Sequence, residues 1–415
     1  MPPIFKGFRW TIPVLILLII IPGFTAAKEL KRDPNSGMIR VMYIGSPFTT
    51  FCPYPFFRTD PLLSVTPISA MAWLESSTIK RALRLYLPRT REAYSDYDVV
   101  GLDDATFEHF PPNTLIWMRD SLLEDGLGYF MGGGSGSFGG AHGFPSYADT
   151  PLQDVMPVEC LSEFVGFSIN RVTNLEDDFI KSVPWDGFDE HNVFGSYNVV
   201  ELKQGAVRLS KMTPMAGGRT DPGWTWWDVG KGRFFASPTG FRGTLGGGTT
   251  SAGVSFIYWK HYPDFVSNMA YFLSGLTPPS DAQLLSTTRL KFREIDAHRQ
   301  MVIGTMEFVS RFGATMAKVD GKLAEVEESL ARARASFVDL ELDKSIEEAE
   351  EVLSLLREAD DLALKAKQSA LLWVFITEWL VVTATLLVCG FVVWTLMVRR
   401  RLYREVSVTR IGPLD

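Results

Sequence analysis

Along the first two thirds of the chain, apolar positions come in short runs. Residues 38–44 (MIRVMYI) are β-branched and apolar and stop at Gly45, the pattern of a strand buried on both faces. Residues 97–102 (YDVVGL), 126–131 (GLGYFM) and 232–237 (GRFFAS) repeat that pattern. Between them, residues 67–85 read as mainly helical, and 111–124 as a helix opened by proline. A helix rich in aromatics is expected over 255–273. Strands alternating with helices predict an α/β fold built on a parallel sheet. Residues 141–230 are less regular, with Pro, Gly, Asp and Trp punctuating short β-like runs such as 196–202 and 206–210.

The pattern changes past Pro278 and Pro279, where residues 281–369 contain no proline. Phe312, Met316, Val319, Leu323, Val326 and Leu330 recur at spacings of four and three, an a/d seam. Ile346, Ala349, Leu353 and Leu356 repeat it, with the bend expected over 336–343. Two striped helices with a short connection predict an α-helical hairpin, a coiled-coil stalk spanning 281–369. The plain reading of the seam is structural; the sharper one is a surface for a protein partner or a second copy of the chain.

The second stalk helix runs without a breaker into residues 371–398, where Glu378 is the only charge. Residues 380–398 would rise about 28 Å, enough for the hydrocarbon core, so this segment is expected to be a transmembrane helix. Trp373 and Trp379 flank Glu378 and suit a membrane–water interface. Arg399, Arg400, Arg401 and Arg404 follow, so the positive-inside rule places the tail 399–415 in the cytoplasm. At the other end, Lys6 and Arg9 precede an apolar run and Thr25-Ala26-Ala27. Residues 1–27 therefore read as a signal peptide or an N-terminal signal anchor. Both ends predict a single-pass protein of the cell membrane with its large domain outside.

Composition narrows the partners. The 415 residues carry a net charge of −7, and the one dense basic cluster lies beside the apolar segment, so no nucleic-acid partner is expected. Of the three cysteines, Cys52 and Cys160 would be either one disulfide or two buried thiols. No CxxC occurs.

The candidate chemistry gathers at the glycine-rich segment 132–140, directly after a strand. Such a turn can cradle a phosphate, act as a nucleophile elbow, or simply allow close packing. A Walker A loop needs a lysine that is absent. Gly134, Gly136 and Gly139 match GxGxxG, a weak signal in so glycine-rich a run, and Gly143, Pro145 and Pro151 interrupt any helix after it. Ser135 has Gly133 on one side but Ser137 on the other, an incomplete GxSxG. No cofactor is implied.

The stretches YDVVGLDD, GYFMGGGSGSFGG, TPLQDVMPVE, VGKGRFFASP and YWKHYPDFVSNMAYFL together resemble the class I glutamine amidotransferase-like domains, closest to their membrane-associated relatives and the ThuA-like group. The resemblance covers roughly residues 38–276 and implies a flavodoxin-like parallel-sheet sandwich. Active members of that superfamily carry a cysteine in the turn matched here by Met131 through Ser137, and a His-Pro-Glu where this chain reads Ser237-Pro238-Thr239. Nucleophile and base are both missing, so the resemblance implies a domain inactive as a glutaminase.

Ser135, Ser137 and His142, with Asp149 nearby, remain weak catalytic candidates. Asp103, Asp104, Gly133, Gly134 and Ser135 would border a ligand pocket, since ligands collect at strand C-terminal ends in open α/β sheets. Asp103, Asp104 and His109 fit no standard metal signature. Trp224, Trp226 and Trp227 form either an exposed aromatic cluster or a buried mini-core. Two functions follow: a non-catalytic outer domain for binding or assembly at the cell envelope, or a hydrolase of an envelope amide or glycan that uses non-standard residues at the turn.

Overall fold

In the computed structural model, which describes residues 36–47, 52–242, 249–250, 253–279, 281–312 and 316–408, the first apolar run is strand β1 (Ile39–Gly45). Then come α1 (Tyr54–Thr59), β2 (Leu63–Ser69), α2 (Ser76–Tyr86), β3 (Val99–Asp103), α3 (Thr114–Asp125) and β4 (Gly128–Gly132). An inserted lobe holds β5 (Val158–Val165), β6 (Ser168–Val172), α4 (Asp178–Lys181), β7 (Val193–Phe194) and β8 (Tyr197–Leu202). The chain continues through β9 (Val207–Arg208), β10 (Ser210–Pro214), β11 (Asp221–Pro222), β12 (Thr225–Val229), β13 (Gly232–Ser237) and α5 (Tyr262–Ser274).

The main sheet has seven strands in the order β2-β1-β3-β4-β13-β12-β9. The first five run parallel, and β12 and β9 extend the sheet antiparallel. Successive side chains of the parallel strands go to opposite faces, and each face meets a different core. Ile39, Val41, Tyr43, Val99, Phe130 and Phe235 enter one apolar cluster, shared with α1 and α5. Met42, Ile44, Val100, Leu102, Tyr129, Met131, Phe234 and Ala236 enter the other, under α2 and α3. That burial on both faces is why these strands lack polar alternation.

One sequence expectation fails here. Residues 67–85 are not one helix: 67–69 complete β2, and α2 begins only at Ser76. Pro67 sits in this strand because β2 is at the sheet edge, where a missing N–H leaves no ladder bond broken. Similarly, the helix expected over 255–273 begins only at Tyr262, with Pro263 in its first turn. No disulfide joins Cys52 and Cys160, which are buried in different clusters.

After the α/β head come three helices, not the two of the expected hairpin: α6 (Ala282–Ser310), α7 (Ala317–Val338) and α8 (Leu342–Val408). Pairings fix their directions. Lys291 meets Glu350 and Phe308 meets Lys367, a constant offset of 59 residues, so α6 and α8 run parallel. Lys322 with Glu358 and Arg332 with Glu351 make α7 antiparallel to α8. Val319, Val326, Leu330, Ala349, Leu353 and Leu356 of the predicted seam are buried, while Phe312 lies beyond the end of α6 and is 42% exposed. The nearer part of this bundle shares the head's core: Leu285, Phe292, Leu330, Phe337 and Leu353 belong to the same cluster as β1. α8 then continues unbroken, and its apolar stretch 371–398 is long and apolar enough to cross a membrane.

Candidate functional site

The glycine-rich turn leaves β4 at the C-terminal end of the parallel sheet, pressed against the segment after β13. The Gly133 N–H donates to the Ser237 carbonyl at 2.8 Å and to that of Thr239 at 3.2 Å. A Cβ on Gly133 would come within 1.8 Å of the Pro238 carbonyl oxygen, so only glycine permits this approach. Asn198, fully buried on β8, holds the turn from the lobe. Its Oδ1 accepts from the Gly134 N–H at 3.0 Å, and its Nδ2 donates to the carbonyls of Gly134 at 3.1 Å and Ser137 at 3.2 Å.

The two aspartates ending β3 have different jobs. Asp103 points into the core, where its Oδ2 accepts from the Tyr43 hydroxyl at 2.5 Å. Burial raises its pKa, and burial together with the Asp103 charge raises that of Tyr43. Asp104 turns the other way, in the left-handed region with φ +50, a conformation aspartate tolerates better than most residues. Its Oδ1 accepts from the Gly136 N–H at 2.9 Å, and its Oδ2 lies 3.4 Å from Arg242. A Cβ on Gly134 would sit 2.2 Å from Oδ1, so the glycine makes room for this carboxylate. Burial pushes the Asp104 pKa up to about 6, with the Gly136 N–H and Arg242 opposing it.

Above Asp104 opens a cleft of about 310 Å³, bordered by Gly133, Gly134, Ser135, Ser196, Gly240 and Arg242. One wall is aromatic. His142, at φ +54, lies 6.0 Å from the Trp73 ring and 5.6 Å from that of Phe164. Trp73 is 60% exposed, a wide apolar plane left facing solvent. The cleft thus combines a flat apolar wall with a buried carboxylate, an arginine and a glycine-lined floor. That combination can hold a polar ligand that also has an apolar face.

Asp104, Gly133, Gly134, Ser135 and His142 therefore meet in one place. Asp103 does not: it is 7% exposed and engaged with Tyr43 beneath the cleft. Ser137 is fully buried, is not among the residues lining the cleft, and its Oγ has no hydrogen-bond partner among the described residues. No hydrogen bond among the described residues joins a histidine to Ser135 or Ser137. His191 Nδ1 lies 3.2 Å from the Ser255 carbonyl, and His261 is buried against Asp264. Asp149 is exposed on a short helical turn. The phosphate cradle lacks its helix, since the turn is followed by irregular chain and two short 3-10 segments. Among the described residues no three of His, Cys, Asp and Glu converge on a metal position, and His109 borders a separate groove beside Lys80 and Trp117.

Sequence reasoning missed Trp73, Phe164, Ser196, Asn198 and Arg242. Only Arg242 left a trace, as a lone cation entering the second glycine-rich stretch. The others are brought in by the lobe and by the loop after β2.

The raised Asp104 pKa has a measurable consequence. The folded state binds this proton more tightly than the unfolded chain, whose carboxyl titrates near 3.8, so the charged form costs stability. That cost is absent below about pH 4, grows as pH rises, and is complete above about pH 6. Asp104→Asn keeps an acceptor for the Gly136 N–H. It should be more stable than wild type by about 1–3 kcal/mol at pH 8, with the gain vanishing near pH 4. Denaturant titrations at the two pH values check this; a gain independent of pH would sink it.

No family model and no curated protein sequence matches this chain. Among solved structures, two cytoplasmic proteins from Salmonella typhimurium align at 18% and 19% identity, each over 57% of this chain and 99% of the other, with TM-scores of 0.45 and 0.43. The carbohydrate deacetylase Agd3 aligns at 7% identity over 49% of this chain and 30% of its own, with a TM-score of 0.31. These likenesses are too distant to assign chemistry to the cleft.

Proposed function

We propose that this chain is a membrane-anchored, extracytoplasmic binding protein. Its head is a glutamine amidotransferase-like domain of flavodoxin-like topology that holds a hydroxyl-rich envelope ligand rather than hydrolysing glutamine. The carrying observation is the cleft itself: Asp104 and Arg242 share it with the Trp73–His142–Phe164 wall, while among the described residues no histidine is hydrogen-bonded to the turn's serines. The parallel order β2-β1-β3-β4-β13 supports the topology, since the chain reverses direction across the sheet between β1 and β3, where ligands collect at strand ends. The exposed apolar stretch of α8 followed by Arg399, Arg400 and Arg401 supports the anchor and the outward head. An aromatic plane beside a charged pair suits a sugar, whose ring has an apolar face and an equatorial rim of hydroxyls.

One experiment addresses ligand, orientation and catalysis together. Intact cells are exposed to a membrane-impermeant photo-cross-linking oligosaccharide from the host envelope, and in parallel to a serine-reactive fluorophosphonate. Cross-linking of the head is expected, reduced roughly tenfold by Trp73→Ala, which removes one ring platform. Cross-linking only after lysis would overturn the orientation. Fluorophosphonate labelling that disappears in Ser135→Ala would replace the binding reading with the hydrolase.

A further inference from the structure

The α6–α7 tip of the bundle carries two phenylalanines exposed at the level where the apolar stretch of α8 begins. Phe308 is 40% exposed and Phe312 is 42% exposed, and their rings pair edge to face at 5.1 Å. Lys367 Nζ lies 5.3 Å over the Phe308 ring. The offset of 59 that joins 291 to 350 and 308 to 367 sets Ser310, the last residue of α6, level with Ser369, two residues before the apolar stretch begins at Leu371, and Phe312 lies in the turn just after it.

Along α8 the charges change sign toward that level. On α8 the acids Glu358, Asp360 and Asp361 stop short of it, and the last charges before Leu371 are Lys365 and Lys367. Arg311, beside Phe312, and Lys318, at the start of α7, are exposed at the same end, together with the acids Glu307 and Asp320. Residues 371–398 measure about 42 Å as a helix, close to the full bilayer thickness with both headgroup layers. Leu371 then stands at the outer rim of the headgroups, with the turn that holds Phe312 near that level. Exposed aromatic rings among lysines and arginines are the composition that this rim favours.

We infer that the α6–α7 tip is a second membrane contact, with Phe312 seated at the outer rim of the headgroup layer, Phe308 one turn farther out, and Arg311 and Lys318 facing lipid phosphates, with Lys365 and Lys367 just above them. This inference rests on the proposed span of α8. A single helix would let the head swing about its axis. A second contact, one helix away on a bundle whose nearer part is packed on the head's core, fixes how the head stands over the bilayer and which way the Trp73 cleft faces.

The test uses the full-length protein in vesicles of phosphatidylethanolamine and phosphatidylglycerol. Cys389→Ser removes the exposed thiol, Cys52 and Cys160 being buried. Nitroxide labels are placed singly at Phe312→Cys, at Glu328→Cys on the exposed side of α7, and at Leu387→Cys in the span. Collisions with oxygen and with a water-soluble nickel complex are measured for each. The label at 312 should be several-fold less accessible to nickel than the label at 328, and this protection should weaken when Arg311 and Lys318 are both changed to glutamate. A label at 312 as wet as that at 328, while 387 remains lipid-buried, would overturn the tip contact alone. A wet label at 387 would overturn the span and the tip contact together.

Discussion

Replacing Arg289 by alanine should destabilise the protein by about 3–5 kcal/mol, because it strips the cation from a fully enclosed ionic cluster. Arg289, on α6, is 3% exposed. Its Nε donates to Asp60 at 2.8 Å and its Nη1 to Asp264 at 3.1 Å, and its guanidinium lies 4.9 Å from the Tyr271 ring. The Tyr271 hydroxyl donates to Asp60 at 2.6 Å, and the Ser286 hydroxyl to Asp264 at 2.7 Å. Burial pushes the Asp264 pKa up, but the His261 hydrogen bond, the Arg289 charge and the Ser286 hydroxyl together hold it below its ordinary value.

In the wild type, Asp264 therefore contributes stability above about pH 4 that fades as the pH falls through its depressed pKa. Without Arg289 the two carboxylates lose their hydrogen-bonded cation, leaving Asp264 only the weaker influence of Arg293, and their ionisation opposes folding instead. The loss should accordingly be larger at pH 8 than at pH 5, where the carboxyls can take up protons. Adding Asp60→Asn and Asp264→Asn to Arg289→Ala should restore much of it, a strong departure from additivity. Denaturant unfolding of the detergent-solubilised protein at both pH values checks the prediction; an additive, pH-independent loss would mean the cluster is not what joins α6 to the head.

Trp224→Ala should cost a similar 3–5 kcal/mol, by emptying one of the two fully buried tryptophan positions of the core. Trp224 is fully buried, with ring centroids of Phe265 at 4.5 Å, Phe256 at 5.6 Å and Phe188 at 5.7 Å. Among the described residues its indole N–H has no acceptor. An unsatisfied buried donor costs about 1–3 kcal/mol, so Trp224→Phe, which removes that donor and keeps most of the ring, should lose far less than the alanine variant. A loss below about 0.5 kcal/mol for Trp224→Ala would instead mark a surface residue. Trp226 and Trp227 are only partly exposed: Trp226 donates to Asp177 at 2.9 Å and stacks under Arg233, whose guanidinium is 4.8 Å away. Of the cluster, then, the structure buries Trp224 and leaves Trp226 and Trp227 partly exposed.

Each correct strand expectation had a local cause. Residues 38–44, 97–102, 126–131 and 232–237 are β-branched or aromatic runs buried on both faces, and that burial erases polar alternation along the chain itself. The α7–α8 turn was likewise legible from the spacing of Val319, Val326, Leu330, Ala349, Leu353 and Leu356. β2 was lost because Pro67 and the helix signal after it compete within one window. Only its place at the sheet edge resolves that competition.

Half of the candidate site was readable for the same reason. Asp104, Gly133, Gly134 and Ser135 stand at strand ends, which a strand pattern locates. Trp73, Phe164, Asn198 and Arg242 come from four other parts of the chain and meet the turn only through folding. Opposite roles for the adjacent Asp103 and Asp104 follow from a single φ of +50 that composition cannot reveal. By itself, then, the sequence determined the periodic elements, the α/β class and the long apolar helix, because these depend on neighbours along the chain. The tertiary structure alone decided that the helical segment is a three-membered bundle joined to the head through Arg289, and that carboxylate, arginine and aromatic wall share one cleft, because those contacts join residues far apart in sequence.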